Sequence, residues 1–321
     1  MFGDVTGKGV QMGLFFSTKR NDGKLVKGED PLVRMTPFIM RKRNEAVVYY
    51  SKSYDIEVIQ DFIQEKRAQG KRVTVFNVIV AALLQTIYRR PNINRFIAGR
   101  RLYDHNDISI LYVVKNKLTD DALESIAEVK LSPEDTIDDI AERMKKNTDS
   151  IKDGEQKTDD KLIQAVTKLP RSFLQFALWI ARLMDFYGIM PRKLQDAIPL
   201  YSSIYIAHIG TLGADAPFHH LYELGSTSIF ITIGRTYDAP YKGQDGQVEW
   251  RKTLDLKITI DERISDGFYL AKSLKVFSEY MEDPTLLDRS PADHEAEHEK
   301  RLQEIEKRRQ ARKEDRASTE N

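Results

Sequence analysis

Apolar residues fall at every second position through Leu254, Leu256, Ile258 and Ile260, the period of a strand with one buried face. From Phe268 onward the period lengthens, and Leu270, Leu274, Phe277 and Met281 recur at helical spacing. Ser265 or Asp266 can cap that helix by accepting its first free amides. Residues 261–267 are therefore expected to form a strand-to-helix turn, a place where a rigid strand end can hold a functional side chain in one geometry.

The same reading of period and punctuation predicts the other elements. Asp55 caps a helix with Ile56, Ile59, Phe62 and Ile63 on one face, and Gly70 ends it. Residues 73–88 carry few charges and an Ala81-Ala82 step, as in a central helix stopped by Pro91. Two strands, 95–103 and 107–115, are expected to pair as a hairpin about Asp104-His105-Asn106. A strand at 122–131 leads into a helix opened by Ser132-Pro133. A polar connector at 152–157, helices at 159–168 and 173–187, and a short helical piece at 193–197 follow. Strands at 202–209, 226–233 and 248–261 complete the set. The segment 173–190 is interrupted by Gln175, Arg182 and Asp185, so it falls short of a membrane span and reads as a buried or partner-facing helix rather than a membrane-surface one.

These 321 residues, 41% of them hydrophobic, suffice for one large domain with tails. The pattern divides them into an N-terminal arm (1–33), a domain (34–287) and a charged helical or disordered tail (288–321) with too few large apolar residues to join a core. A formal charge of +1 with interspersed signs argues against nucleic acid as the main partner. There is no cysteine, which excludes a disulfide framework, a thiol nucleophile and a cysteine-ligated metal, and fits a cytoplasmic location. The glycine-rich stretches 3–9 and 210–213 lack the lysine-serine/threonine ending of a phosphate loop. His294 and His298, four apart in the tail, are read as tail residues rather than metal ligands.

Four motifs in order carry a family resemblance. Ile87 to Arg95 reads Ile-Tyr-Arg-Arg-Pro-Asn-Ile-Asn-Arg; His208 to Gly213 reads His-Ile-Gly-Thr-Leu-Gly; Asp261 to Gly267 reads Asp-Glu-Arg-Ile-Ser-Asp-Gly; Glu282 to Leu287 reads Glu-Asp-Pro-Thr-Leu-Leu. Over residues 34–287 the chain resembles the catalytic domain of the dihydrolipoyl acyltransferases of 2-oxo acid dehydrogenase complexes, relatives of chloramphenicol acetyltransferase. The resemblance implies an α/β fold with a mixed sheet and helices packed on it, a homotrimer with active sites between subunits, and coenzyme A or an acyl-CoA as substrate. No lipoyl attachment site is found in the arm, no metal is implied, and the tail is a candidate for recruiting a protein partner.

The departures fall on the chemistry. Where the family has its general-base histidine this chain has Glu262, and the oxyanion serine and the asparagine after it align with Ala207 and His208. Glu262 would serve as a replacement base if burial raised it above the usual carboxylate value of about 4.3; otherwise it is an ion-pair partner or solvated. His208 and the pair His219-His220 are further candidates for the base, against a plain reading as loop residues. Asp266 matches the family aspartate that pairs with an arginine near the domain start, for which Arg34 fits first and Arg41 second. Two readings follow: a stand-alone acyltransferase-like protein with an altered centre, or a catalytically inactive trimeric ligand-binding or scaffold protein of the same fold.

Overall fold

The computed structural model describes residues 18–115, 124–152, 168–243 and 245–297. Its main sheet has six strands in the order β2-β9-β8-β7-β5-β6, built from β2 (Val47–Asp55), β5 (Ile108–Lys115), β6 (Glu124–Leu131), β7 (Ile204–His208), β8 (Ile229–Lys242) and β9 (Val248–Asp261). The pairs β5/β7 and β7/β8 are parallel and the rest antiparallel, which makes the sheet mixed as expected. A second sheet, β1-β4-β3, comprises β1 (Gly23–Leu25), β3 (Arg95–Ala98) and β4 (Arg101–His105).

The alternating residues of β9 decide which face is inside. Leu254, Leu256, Ile258 and Ile260 all enter the principal core, together with Ile229, Ile231 and Ile233 of β8 and Ile204 and Ile206 of β7. That face is covered by α2 (Glu57–Ala68), α3 (Val75–Arg89), α4 (Ile137–Lys152) and α7 (Gly267–Glu282). Helix α3 is the central one: residues 77 to 87 are buried without a break, and Thr74 caps it, accepting from the Asn77 N–H. The opposite face holds a smaller cluster of Leu111, Tyr205, Leu221 and Phe230 under the loop 214–225.

Three expectations change. The hairpin turns at Gly99-Arg100, both at positive φ (54° and 58°), which joins β3 to β4 within the small sheet; Asp104 and His105 end β4, and residues 106–107 carry the chain across to β5. Two consecutive left-handed residues give the tight turn that matches strand twist, and only the first is glycine, so the sequence signal was half present. Strand β8 does not stop at Gly234 but continues to Lys242 through an irregularity between Ile233 and Thr236. Finally α5 (Arg171–Tyr187) forms where predicted and ends at Gly188 (φ 70°), but it is not buried: none of its residues is enclosed, and Trp179 is 58% exposed.

A one-turn helix α6 (Arg192–Asp196) follows. At the other end of the chain α1 (Pro31–Ile39) is capped by Asp30, which accepts from the Leu32 N–H. Residues 288–297 are tied to the domain by the Gln85 amide on the Arg289 carbonyl (2.8 Å) and the Ala292 N–H on the Pro133 carbonyl (3.0 Å). Residues 1–17 of the arm, residues 153–157 of the expected connector, residues 159–167 of the helix expected over 159–168, and residues 298–321 of the tail, His298 included, lie outside the described residues. No helix among the described residues is long and apolar enough to cross a membrane.

Candidate functional site

The strand-to-helix turn is held by a buried carboxylate. Asp261, the last residue of β9, has no exposure and takes a two-pronged contact from Arg263: Nε to Oδ1 at 2.8 Å and Nη2 to Oδ2 at 2.6 Å. Such fork-on-fork geometry fixes orientation as well as charge. Arg263 also donates Nη1 to the Met40 carbonyl at 2.8 Å, which ties the turn to the end of α1. A second guanidinium, Arg43, lies 3.6 Å from Asp261 Oδ2 and is 4% exposed. Its other nitrogens donate to the carbonyls of Tyr222 (2.6 Å), Gly225 (3.0 Å) and Ile97 (3.3 Å). Burial lowers the Arg43 guanidinium from its ordinary value, opposed by the attraction of Asp261.

The expected pairing of Asp266 with Arg34 is therefore not the one formed. Asp266 is the N-cap of α7, its Oδ1 accepting the Tyr269 N–H at 2.8 Å, and no ion pair among the described residues joins it to Arg34 or Arg41. The physical reason is local. A carboxylate at a helix start is already satisfied by the free amides there, whereas Asp261, enclosed at the strand end, needs cations brought to it.

Glu262 stands next to this buried group and points out of it. It is exposed, its N–H bonded to the Ala46 carbonyl (2.8 Å), and it lines a cleft of about 490 Å³. The cleft wall is largely apolar, with Met40, Tyr50 and Leu274 among its residues, and Ser265 and Asp266 lie beside Glu262. Ser265 is only 8% exposed and its hydroxyl has no hydrogen-bond partner among the described residues. The sequence offered Ser265 only as a cap, a role that Asp266 takes instead.

The histidines divide between two places. The loop bearing His219 and His220 is pinned to the Arg43-Asn44 turn: Asn44 exchanges hydrogen bonds with the Leu221 backbone (2.8 and 3.0 Å), and Glu223 accepts the Arg43 N–H. His219 stacks on Phe230 at 3.9 Å and on His220 at 4.5 Å, and burial lowers its imidazole. Their neighbour Phe218 rests on Tyr49, which lines the Glu262 cleft, so this loop borders the cleft.

His208 does not. It ends β7, half-buried, stacked on Phe76, and burial alone lowers its pKa. In the ladder Ile204, Ile229 and Ile260 are level, while His208 is level with Ile233 and Leu256. His208 is thus four residues, about 13 Å, along the sheet from the Glu262 end and two strand spacings of about 4.8 Å across. Ala207 lies opposite Thr232, whose hydroxyl is buried and also without a hydrogen-bond partner among the described residues. No group of three or more side chains suited to a metal occurs among the described residues.

Comparison with known proteins agrees with this architecture. The family described as 2-oxoacid dehydrogenases acyltransferase (catalytic domain) matches residues 200–288. A probable dihydrolipoamide acetyltransferase from Listeria monocytogenes 4b F2365 superposes with a TM-score of 0.52 at 14% identity, covering 81% of this chain and 95% of that one. The cubic core of the pyruvate dehydrogenase multienzyme complex gives 0.53 at 14% identity, covering 82% and 94%. A chloramphenicol acetyltransferase gives 0.50 at 12% identity, covering 81% and 99%. No curated protein matches the sequence. The chain thus has the chloramphenicol acetyltransferase-like fold of these acyltransferase cores, and its residues 200–288 carry the match to the catalytic domain of the 2-oxoacid dehydrogenase acyltransferases.

Proposed function

We propose that the protein is a coenzyme A-dependent acyltransferase with an altered centre, in which Glu262 takes the place of a histidine base and the site is completed by a second subunit of a homotrimer. The observation that carries this reading is the intact turn. Asp261 and Arg263 hold its shape while Glu262 projects into a cleft with apolar walls for an acyl chain or thioester. In the reaction the Glu262 carboxylate takes the proton of the acceptor as the acceptor attacks the thioester carbonyl. The carbon–sulfur bond then breaks, and the coenzyme A thiolate leaves and takes the proton held by Glu262, which restores the carboxylate. The separation of Glu262 from His208 and Ala207 in one protomer also supports a shared site, since half of it would come from each of two neighbours.

The test is thiol release from acyl-CoA substrates, with the assembly mass measured by light scattering against three times the 37.1 kDa chain. Glu262→Gln should lower release by about 10²–10⁴. Loss of release in His208→Ala or His220→Ala, with Glu262→Gln unaffected, would move the base to a histidine. The second reading, a catalytically inactive ligand-binding or scaffold trimer, is favoured by one observation: Ala207 has no hydroxyl where the family carries its oxyanion serine. Coenzyme A binding by calorimetry with no release from the unaltered protein would establish that reading in place of the first.

A further inference from the structure

Helix α5 has three sides. Taken at 3.6 residues per turn, Leu174, Ala177, Ala181 and Met184 share one side, and all four are half-covered by the domain. Phe173, Phe176, Trp179, Leu183 and Phe186 fall within an adjoining arc of about 140° and are 53, 56, 58, 42 and 43% exposed. Phe176 and Trp179 stack on each other at 6.0 Å, forming a flat aromatic step on the outside of the protein. The third side carries Arg171, Gln175 and Arg182, all exposed.

Apart from Asp185, the charged residues of this helix are arginines. Asp185 is the single acid between residues 168 and 190, and it is occupied: Arg20 Nη2 lies 2.8 Å from its carboxylate and the Tyr201 hydroxyl donates to it at 3.0 Å. Lys168 and Arg171 precede the aromatic arc, Arg182 flanks it, and Lys193 follows, with Arg192 beside it paired to Asp196 at 3.7 Å. An apolar arc with aromatic residues, edged by cations, on a helix anchored at its far side is the arrangement of a helix that lies in a membrane interface.

We propose that the outer face of α5 seats on an anionic lipid surface, with Phe173, Phe176, Trp179, Leu183 and Phe186 entering the headgroup and acyl boundary while Arg171 and Arg182 meet the lipid phosphates. A second copy of the chain fits this face less well, because pairing α5 with itself sets two cationic edges together with no acid to answer them. The helix is anchored for the task. Arg20 also donates to the Asp185 carbonyl (2.6 Å), Asn21 donates to the Met190 carbonyl (2.9 Å), and the left-handed Gly188 packs on the Lys19 backbone. Docking would thus place the domain against the membrane in a fixed orientation. This inference stands apart from the acyltransferase reading, since none of these residues lines the Glu262 cleft.

The experiment uses the full chain with Trp250→Phe, which leaves Trp179 as the sole tryptophan of the two present. It is mixed with phosphatidylcholine vesicles with and without phosphatidylglycerol. The expected result is co-flotation with the anionic vesicles and a blue shift of Trp179 emission. Arg171→Gln and Arg182→Gln should each weaken partitioning about fivefold, the factor that corresponds to about 1 kcal/mol per basic residue near such a surface. Phe176→Ser with Leu183→Ser should weaken it tenfold or more, with the circular dichroism spectrum retained because both side chains are exposed. Absence of flotation overturns the proposal. So does a Trp179 that is already blue-shifted without lipid together with an assembly mass that falls in Phe176→Asp, which would assign the face to a contact between protein chains.

Discussion

The turn after β9 and the loop after β7 are built on opposite principles. The turn is electrostatic: Asp261 is enclosed and held by two guanidiniums, and backbone carbonyls from Met40, Tyr222 and Gly225 complete the shell. The loop is steric: Gly210 sits where any side chain would run into the Gly234 carbonyl, and Gly213 (φ 77°) turns the chain back. Yet the two agree in what they keep and what they change. Each has the residues that shape its backbone, and the departures from the resembled motifs, Glu262 in one and Ala207 and His208 in the other, fall on side chains that the proposed function would turn toward a ligand. Shape and chemistry are separable at both junctions.

The largest effect should come from Asp261→Asn, which leaves Arg43 and Arg263 buried without a counter-charge. Breaking a buried pair from one side costs about 3–5 kcal/mol, so urea unfolding should show a lower midpoint that converts, through its slope m, to a stability loss of that size. The contrast is Asp266→Ala, which removes only an exposed cap and should cost about 1 kcal/mol. Equal costs for the two would show that the turn does not depend on its buried charge.

At the other junction Gly210→Ala should cost about 1–3 kcal/mol through overpacking against the Gly234 carbonyl. Gly213→Ala, at a left-handed position with open space around it, should cost about 1 kcal/mol from backbone strain alone. If the second substitution proves the more costly, conformation rather than close approach holds the loop.

How much of this was legible in the sequence follows from how local each signal is. The alternation of Leu254 to Ile260 and the spacing of Leu270 to Met281 identify β9 and α7 because each is set by neighbours a few residues away. The cap by Asp266 is local too, which is why the turn was found before its ion pair was. Arg43 was hidden: within a run of basic residues it resembles its solvated neighbours, and its partner lies more than two hundred residues on. The pairing of Asp266 with Arg34 failed for the same reason in reverse, a distant partner assigned to a group that had a nearer one. The period of helix α5 is legible, but it leaves open whether the helix is interior or partner-facing, since an apolar helix reads as interior whenever the surface that covers it belongs to something else.

Each junction also holds a buried hydroxyl with no hydrogen-bond partner among the described residues, Ser265 beside Glu262 and Thr232 beside Ala207. An unpaired buried hydroxyl is unfavourable by itself, so Ser265→Ala and Thr232→Val should leave thermal stability unchanged or slightly raised. If these groups donate to a ligand, the same substitutions should weaken coenzyme A or acyl-CoA binding about tenfold, measured by calorimetry. A loss of stability in either would mean that the hydroxyl is already satisfied inside the fold.

The smallest effect concerns His208, the one ionisable side chain at the end of β7. Burial against Phe76 disfavours its charged form and lowers its pKa from the ordinary value of about 6.5. The sign follows from linkage: the unfolded chain takes up this proton at a higher pH than the folded one does. The contribution of a neutral His208 is therefore present above about pH 6.5 and is lost as pH falls below it. Proton NMR of the imidazole should give a midpoint below that of a free histidine, and His208→Gln should flatten the acid limb of the stability curve below about pH 6.5. A midpoint at or above 6.5 would mean that a carboxylate reaches this imidazole in the assembled protein, and Glu262 of a neighbouring copy is the carboxylate that the shared-site reading would bring there.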